Sequence, residues 1–176
     1  MYLHRKIVAT PLGPMLALAS DDGLCALEFD GPSRHERLNA RLRRWFPQHE
    51  VVDRETPTLK RTREWLAAYF GGTNADSSAV RLDLRGAPFE LRVWKQLCDI
   101  PAGSTSTYGA IAKQLGAPGA SRAVGASNGA NPVAIIVPCH RVIGSSGTLT
   151  GYGGGLDRKQ WLLNHEMRWR AQLVLF

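Results

Sequence analysis

Cys139, His140 and Arg141 follow one another directly after Pro138. A thiol beside an imidazole is the pairing that activates a sulfur nucleophile, because the thiolate attacks and a thiol of pKa about 8.5 is mostly protonated at neutral pH. His140 supplies a base that takes the proton directly or through water. A buried carboxylate would fix the imidazole tautomer and stabilise its protonated form, and Glu166, just beyond Leu162-Leu163, is the candidate. Cys139 closes the apolar run Val133–Val137, which is bounded by Pro132 and Pro138. Such a run reads as a buried strand or another buried extended segment, and it would hold the sulfur rigidly. Adjacent side chains on extended backbone point to opposite faces, so Cys139 and His140 cooperate only across a bend or a bridging water. The plain alternative is a structural cysteine beside a surface histidine, and the surroundings have to decide.

The elements that position these residues fall into two parts, with the small, polar stretch 72–80 as the linker and a boundary that gives domains 1–80 and 81–176. In the first part, Leu3–Thr10, Met15–Ser20 and Leu24–Phe29 read as strands separated by Pro11–Pro14 and Asp21–Gly23, both turn chemistry. Arg34–Trp45 reads as a helix with Leu38, Leu42 and Trp45 inward and its arginines on a solvated face. Thr56 caps a second helix, Pro57 sits in its first turn, Leu59, Leu66 and Tyr69 face inward, and Gly71-Gly72 stops it. In the second part, Phe89, Val93, Trp94 and Leu97 form the stripe of a helix over Phe89–Ile100, and Trp94, Trp161 and Phe89 are read as core. Thr107 caps a short helix to Leu115, with Gly116 as its stop. A helix-length stretch of small residues, Gly119–Gly129, follows, from which Arg122 stands out. Two short helices joined by a glycine-containing turn suggest a helix-turn-helix. The small side chains of the second suit close approach to a nucleic-acid groove, or equally tight packing on another helix. Gly151–Gly155 forms a glycine-rich loop without the Lys-Ser/Thr ending of a phosphate loop. A last helix runs to His165-Glu166, and the end of the tail, residues 172–176, reads as an extended segment.

The chain has 176 residues, with 44% hydrophobic and 21% charged, the profile of an ordinary soluble protein. No apolar run approaches the roughly 20 residues of a membrane span, and Met1–Ile7 lacks a secretory core, so a cytoplasmic protein is expected. Cys25, Cys98 and Cys139 are odd in number and without C-x-x-C spacing, which disfavours a disulfide framework or a cysteine-rich zinc site. Cys25 and Cys98 are read as buried packing residues, and no essential metal is expected. The net charge of +7 is uneven: residues 1–80 hold 11 Lys and Arg against 10 Asp and Glu, and residues 81–176 hold 11 against 5. The part that carries Cys139 is therefore the basic one, which suits phosphate or an acidic partner as well as simple solubility.

Taken in order, Phe89-x4-Trp94, Ile100-Pro101-x-Gly103, Thr107-Tyr108, Ser121–Gly125, Asn131-Pro132, Pro138–Val142, Gly151-Tyr152-x-Gly154-Gly155 and Leu162-Leu163-x-His165-Glu166 resemble the O6-alkylguanine-DNA alkyltransferases, also called methylated-DNA–protein-cysteine methyltransferases, of the small bacterial constitutive type. The resemblance covers nearly the whole chain. It implies an α+β fold: an N-terminal α/β ribonuclease-H-like domain, then a mainly helical, winged-helix-like domain with the helix-turn-helix. It also implies direct, single-turnover transfer of an alkyl group from guanine O6, and from thymine O4, in DNA to Cys139, with no cofactor.

Carried over residue by residue, the resemblance makes His140 a water-mediated base, Glu166 its orienter and Asn131 the brace of the acceptor turn. Tyr108 would contact the flipped base, backbone groups of Cys139 and Val142 its exocyclic amine, and the N–H near Tyr152-Gly153 its O6. Arg122 would fill the vacated stack, with Ala123, Ala126 and Ser127 facing the minor groove of double-stranded alkylated DNA. Arg141 is expected to brace the turn. A monomer without an obligate protein partner is implied, and the sequence leaves cooperativity on DNA open. The full zinc-ligand set of animal members is not apparent in this sequence, where His4 and Cys25 alone do not define a site, and the added zinc-cysteine domain of adaptive-response members is not expected. A glycine at 153 and an alanine at 134 suggest a pocket roomy enough for groups larger than methyl. A non-catalytic alkyltransferase-like protein would lack the cysteine, and a Cys-His hydrolase would need an oxyanion arrangement that the sequence does not offer.

Overall fold

The structure is a computed structural model that describes residues 1–73 and 75–173, with side chains described as far as Trp169 in the last helix. It forms two compact units, Met1–Gly86 with Pro132–Ala134, and Ala87–Asn131 with the chain from Ile135 onward. Residues 81–86, placed in the second part by the reading above, group with the first: Leu24 N–H donates to Arg81 O at 2.8 Å and Asp83 N–H to Leu24 O at 2.9 Å.

In the first unit β1 (Tyr2–Val8), β2 (Met15–Ala19), β3 (Leu24–Phe29) and β4 (Glu50–Asp53) make one sheet in the order β3-β2-β1-β4. Only β4 is parallel to its neighbour. Every residue of β2 is buried, so both faces of the sheet are covered and the strand reads as a continuous apolar run. Leu38, Leu42 and Phe46, one helical turn apart, pack with Leu3, Leu16, Leu18 and Cys25. They belong to α1 (Pro32–Trp45) and its cap, and α2 (Pro57–Phe70) starts as the sequence indicates, with Thr56 Oγ1 accepting from Leu59 N–H at 3.2 Å. The arginines of α1 are not all solvated: Arg34 pairs with the half-buried Glu28, and Arg41 donates to Arg85 O at 2.6 Å. The sequence reading overlooked β4. It is short, largely exposed and charged at both ends, and a cross-strand Arg5–Asp53 pair at 2.7 and 2.8 Å helps to hold it.

The second unit is mainly helical. Val93, Trp94 and Leu97 of α3 (Pro88–Cys98) are buried, and the Trp94 indole N–H donates to Ser127 O at 2.8 Å, which satisfies its one polar atom. Here α4 (Tyr108–Gln114) and α5 (Ser121–Gly129) pack together, joined through a turn in which Gly116 takes φ 73°. Thr107 caps α4 and also lies in β5 (Ser106–Thr107), which pairs in parallel with β6 (Val142–Ile143). That short ladder sets Tyr108 beside the segment that follows Cys139. The last helix, α6 (Leu156–Leu173), runs well past Glu166, so the expected extended end is helical at 172–173, and residues 174–176 lie outside the described residues.

Three core assignments are corrected. Cys98 is exposed, Trp161 is 37% exposed on α6, and Phe89 is only half-buried. All three occupy the rims of their helical stripes. Trp161 stacks on His165 at 4.6 Å instead of entering the core.

Candidate alkyl-acceptor site

The run before Cys139 is buried throughout but is not a strand. Ala134–Ile136 form a turn, and Ile135, 1% exposed, sits at φ 70°. A β-branched residue in that region is strained by roughly 1–3 kcal/mol and stays there only because its surroundings hold it. Nothing in an apolar pentapeptide announces this, since periodicity cannot separate a buried turn from a buried strand.

The turn continues into Cys139. Pro138, at φ −83° and ψ 61°, makes an inverse γ-turn, with Cys139 N–H donating to Val137 O at 2.8 Å. Cys139–Arg141 then form a single 3-10 turn. This is the bend that the Cys139–His140 pair requires. Asn131 Nδ2 donates to Val137 O at 2.8 Å. A second amide, which the sequence reading missed, lies beside it: Asn128 Nδ2 donates to Cys139 O at 3.3 Å. Asn128, in the last turn of α5, and Asn131, just past its C-cap, thus hold the carbonyls of Cys139 and Val137. Cys139 itself is 7% exposed.

His140 and Glu166 are both fully buried, and His140 Nε2 meets Glu166 Oε1 at 2.8 Å. Arg141 braces the same carboxylate, Nε to Oε2 and Nη2 to Oε1 both at 2.9 Å, and its Nη1 donates to Ile100 O at 2.5 Å. Gly103 N–H donates to Glu166 Oε2 at 3.1 Å. Burial by itself would raise the Glu166 carboxyl, but the bonds and charges of His140 and Arg141 outweigh it and hold the group well below the usual carboxylate range. For His140 burial is the largest influence and lowers its pKa, against the opposing pull of Glu166. A neutral imidazole whose Nε2–H faces an ionised carboxylate carries its lone pair on Nδ1. That atom is buried and has no hydrogen-bond partner among the described residues. Among the described residues, then, the residue that follows Cys139 carries a bare base at Nδ1.

The remaining predicted residues divide. Tyr108, half-buried, donates its hydroxyl to Thr150 O at 3.3 Å, and the Tyr152 ring meets His140 edge-on at 6.4 Å. A Cβ on Gly125 would lie 3.7 Å from the Tyr108 ring, so a small residue there lets that ring pack on α5. Arg122, Ala123 and Ala126 are exposed along one face of α5. Ser127 is not on that face. It is 5% exposed, turned toward α3 with its carbonyl taken by Trp94, and the exposed position one turn beyond Ala126 is Gly129. Val142 is buried and its carbonyl accepts from Lys159 Nζ at 2.5 Å. Gly153 lies exposed on the loop after Thr150. Lys159 was also missed, although it shares the spacing of Leu162, Leu163 and Glu166, which marks it as inward-facing on α6. The first unit's Cys25 is inert: burial pushes its thiol up to about 12, and it donates to Leu18 O at 3.2 Å.

Comparison with known proteins supplies context for this geometry. Residues 3–84 match the ribonuclease-like domain and residues 88–168 the DNA-binding domain of 6-O-methylguanine DNA methyltransferase. The chain is 45% identical over 166 residues to a methylated-DNA–protein-cysteine methyltransferase of Salmonella typhimurium, covering 93% of this chain and 95% of that one. It is 44% identical over 175 residues to the protein of that name in Mycobacterium bovis, covering 99% of each. Among solved structures it resembles O6-methylguanine methyltransferase of Mycobacterium tuberculosis, with TM-score 0.75 and 43% identity over 94% of this chain and 93% of that chain. It also resembles Mycobacterium tuberculosis OGT in complex with DNA, with TM-score 0.77 and 42% identity over 96% and 94% of the two chains.

Proposed function

The chain belongs to the 6-O-methylguanine DNA methyltransferase family, and from that membership we infer that it repairs DNA by moving an alkyl group from guanine O6 onto its own cysteine. Cys139 is the acceptor in this reading. The observation that carries it is the buried 3-10 turn that sets Cys139 beside a histidine whose Nδ1 is bare and whose Nε2 is fixed by Glu166.

The chemistry follows from the residues. A water bridging Nδ1 and sulfur lets His140 take the thiol proton, while Glu166, kept ionised by Arg141, stabilises the imidazolium. The thiolate attacks the alkyl carbon, an S–C bond forms, and the C–O6 bond breaks. Its electron pair passes to the purine, which takes up the proton. The product is a neutral thioether with no facile hydrolysis, so one protein molecule repairs one lesion and needs no cofactor. Thymine O4 offers the same leaving oxygen.

Reaching a buried sulfur requires the base to leave the duplex. Arg122, exposed at the start of α5, enters the stack in its place, and Ala123, Ala126 and Gly129 offer a nearly flat face to the minor groove. Ser127, being buried, drops out of this interface. Tyr108, Tyr152 and the Gly153 loop line the rim of the base site, with backbone groups of Val142 and Cys139 toward the exocyclic amine. The first unit acts as the α/β partner of the acceptor domain, and the protein works as a monomer in the reducing cytoplasm, consistent with free thiols at Cys25, Cys98 and Cys139.

The test is intact mass and a peptide map after incubation with a duplex that carries O6-methylguanine. The expected result is a single methyl on Cys139, saturating at one equivalent. Continuous turnover, or binding without a mass change, refutes it.

A further inference from the structure

The outer edge of a sheet is a row of open N–H and C=O groups that pairs with extended chain laid against it. In the first unit β3 is such an edge. Leu27 N–H donates to Pro132 O at 2.8 Å, and Ala134 N–H donates to Leu27 O at 2.8 Å, a parallel bridge centred on Val133. Pro132–Ala134 accordingly group with the first unit, whereas Asn131 and the chain from Ile135 onward belong to the second. The N–H and C=O of one strand residue point to the same edge, so Leu27 uses both in the bridge and neither in the β2 ladder. The side chains of Leu27 and Val133 are fully buried.

The bridge fixes the start of the run that ends at Cys139. Its far end is fixed separately, by Asn131 Nδ2 on Val137 O and Asn128 Nδ2 on Cys139 O. Ile135 and Ile136 alone lie between the residues so held, and Ile135 makes the turn at φ 70°. A β-branched residue stays in that region only where the chain around it over-determines its conformation. Two backbone hydrogen bonds are together comparable to the strain they oppose. Without them Ile135 would return to negative φ, and the rotation would pass along Val137 and Pro138 to the sulfur.

We propose that Leu27 is a positioning residue for alkyl transfer: its peptide groups on β3 hold Ile135 in the strained turn and so aim Cys139. Leu27 acts through its main chain, which is why its side chain carries no sign of the role. The inference rests on Cys139 being the alkyl acceptor and deepens that reading, because it gives a strand of the first unit a part in the reaction.

The experiment compares wild type, Leu27→Ala and Leu27→Pro in single-turnover methyl transfer from an O6-methylguanine duplex at saturating DNA, with duplex affinity read by fluorescence anisotropy. Leu27→Ala loses the packing and keeps the N–H, whereas Leu27→Pro loses both. Proline is admissible on an edge strand where the N–H faces away from the ladder, as it does here. The expected result is transfer slower by at least about tenfold in Leu27→Pro than in Leu27→Ala, at equal duplex affinity. Coincident transfer rates in the two folded variants overturn the proposal. If Leu27→Pro does not fold, or if wild type takes up no methyl group, native-state hydrogen exchange of wild type in subdenaturing urea decides. The amides of Leu27, Ala134 and Cys139 are expected to open together, with one free energy and one urea slope, because the turn does not relax while the bridge holds. A Cys139 amide that opens while those of Leu27 and Ala134 stay protected removes the clamp. Absence of uptake with the three amides opening together would remove the repair reading alone, and uptake with Cys139 opening by itself would remove the role of Leu27 alone.

Discussion

Glu166→Gln is the most informative single change, because one carboxylate organises the whole site. It is fully buried and accepts from His140, from Arg141 through two nitrogens, and from Gly103 N–H. The glutamine keeps the shape but turns an NH2 group toward donors and leaves Arg141, whose side chain is 12% exposed, without a counter-charge. Breaking such a buried pair costs about 3–5 kcal/mol. For a chain of this size that is a fall in Tm of roughly 6–20 °C. Arg141→Met in the same background should recover at least about 1 kcal/mol, since removing both partners is cheaper than orphaning one. The pH dependence has a definite sign. The folded Glu166 carboxyl is depressed, so its contribution is fully present above the unfolded value of about 4.3 and is lost as pH falls through the folded one. Glu166→Gln should flatten that acid limb. Urea and thermal unfolding at several pH values measure both effects. A Glu166→Gln protein within about 1 kcal/mol of wild type, or strictly additive Glu166→Gln and Arg141→Met changes, would refute the argument that this carboxylate holds the turn.

Asn131→Ala removes a buried amide whose target, Val137 O, keeps a second donor in Cys139 N–H, so stability should fall by only about 1 kcal/mol. Methyl transfer should slow by about tenfold, because the acceptor turn loosens; rapid-quench transfer assays beside a melt separate the two effects. Gly23→Ala should destabilise the first unit by more than about 2 kcal/mol, since Gly23 is at φ 154° and a Cβ would come within 2.7 Å of Arg81 O. Iodoacetamide reactivity of Cys139 in the folded fraction should be unchanged. Ser127→Ala should leave duplex affinity and its salt slope as they are, whereas Ala126→Glu, on the exposed face, should weaken binding by about tenfold or more in fluorescence anisotropy.

What was legible in the sequence was whatever local chemistry dictates. Thr56 and Thr107 cap their helices because their hydroxyls accept from the first-turn N–H groups, and a sequence displays such pairings directly. The network of Cys139, His140, Arg141 and Glu166 was legible through the order of the motifs, since no spacing rule joins His140 to a carboxylate 26 residues away. Ile135 was not legible, because an apolar pentapeptide between prolines fits a buried turn as well as a strand, and only the surrounding packing selects φ 70°. Strand β4 was missed for the opposite reason: an exposed edge strand buries too little for its pattern to show.

Ser127 and Lys159 show the same limit from two sides. Ser127 was placed toward the groove through the family resemblance and Lys159 was given no role, when helical phase was the better guide. On α5, Ser127 follows Val124 by three positions and so falls on the buried side, away from Arg122, Ala126 and Gly129. On α6, Lys159 precedes Leu162 and Leu163 by three and four positions and Glu166 by seven, which puts both charges in an otherwise apolar stripe. A charged residue in such phase has to find compensation inside the fold, since burial without it costs more than most domains can tolerate. Glu166 finds it in Arg141. Lys159 finds the carbonyls of Val142 and Thr150.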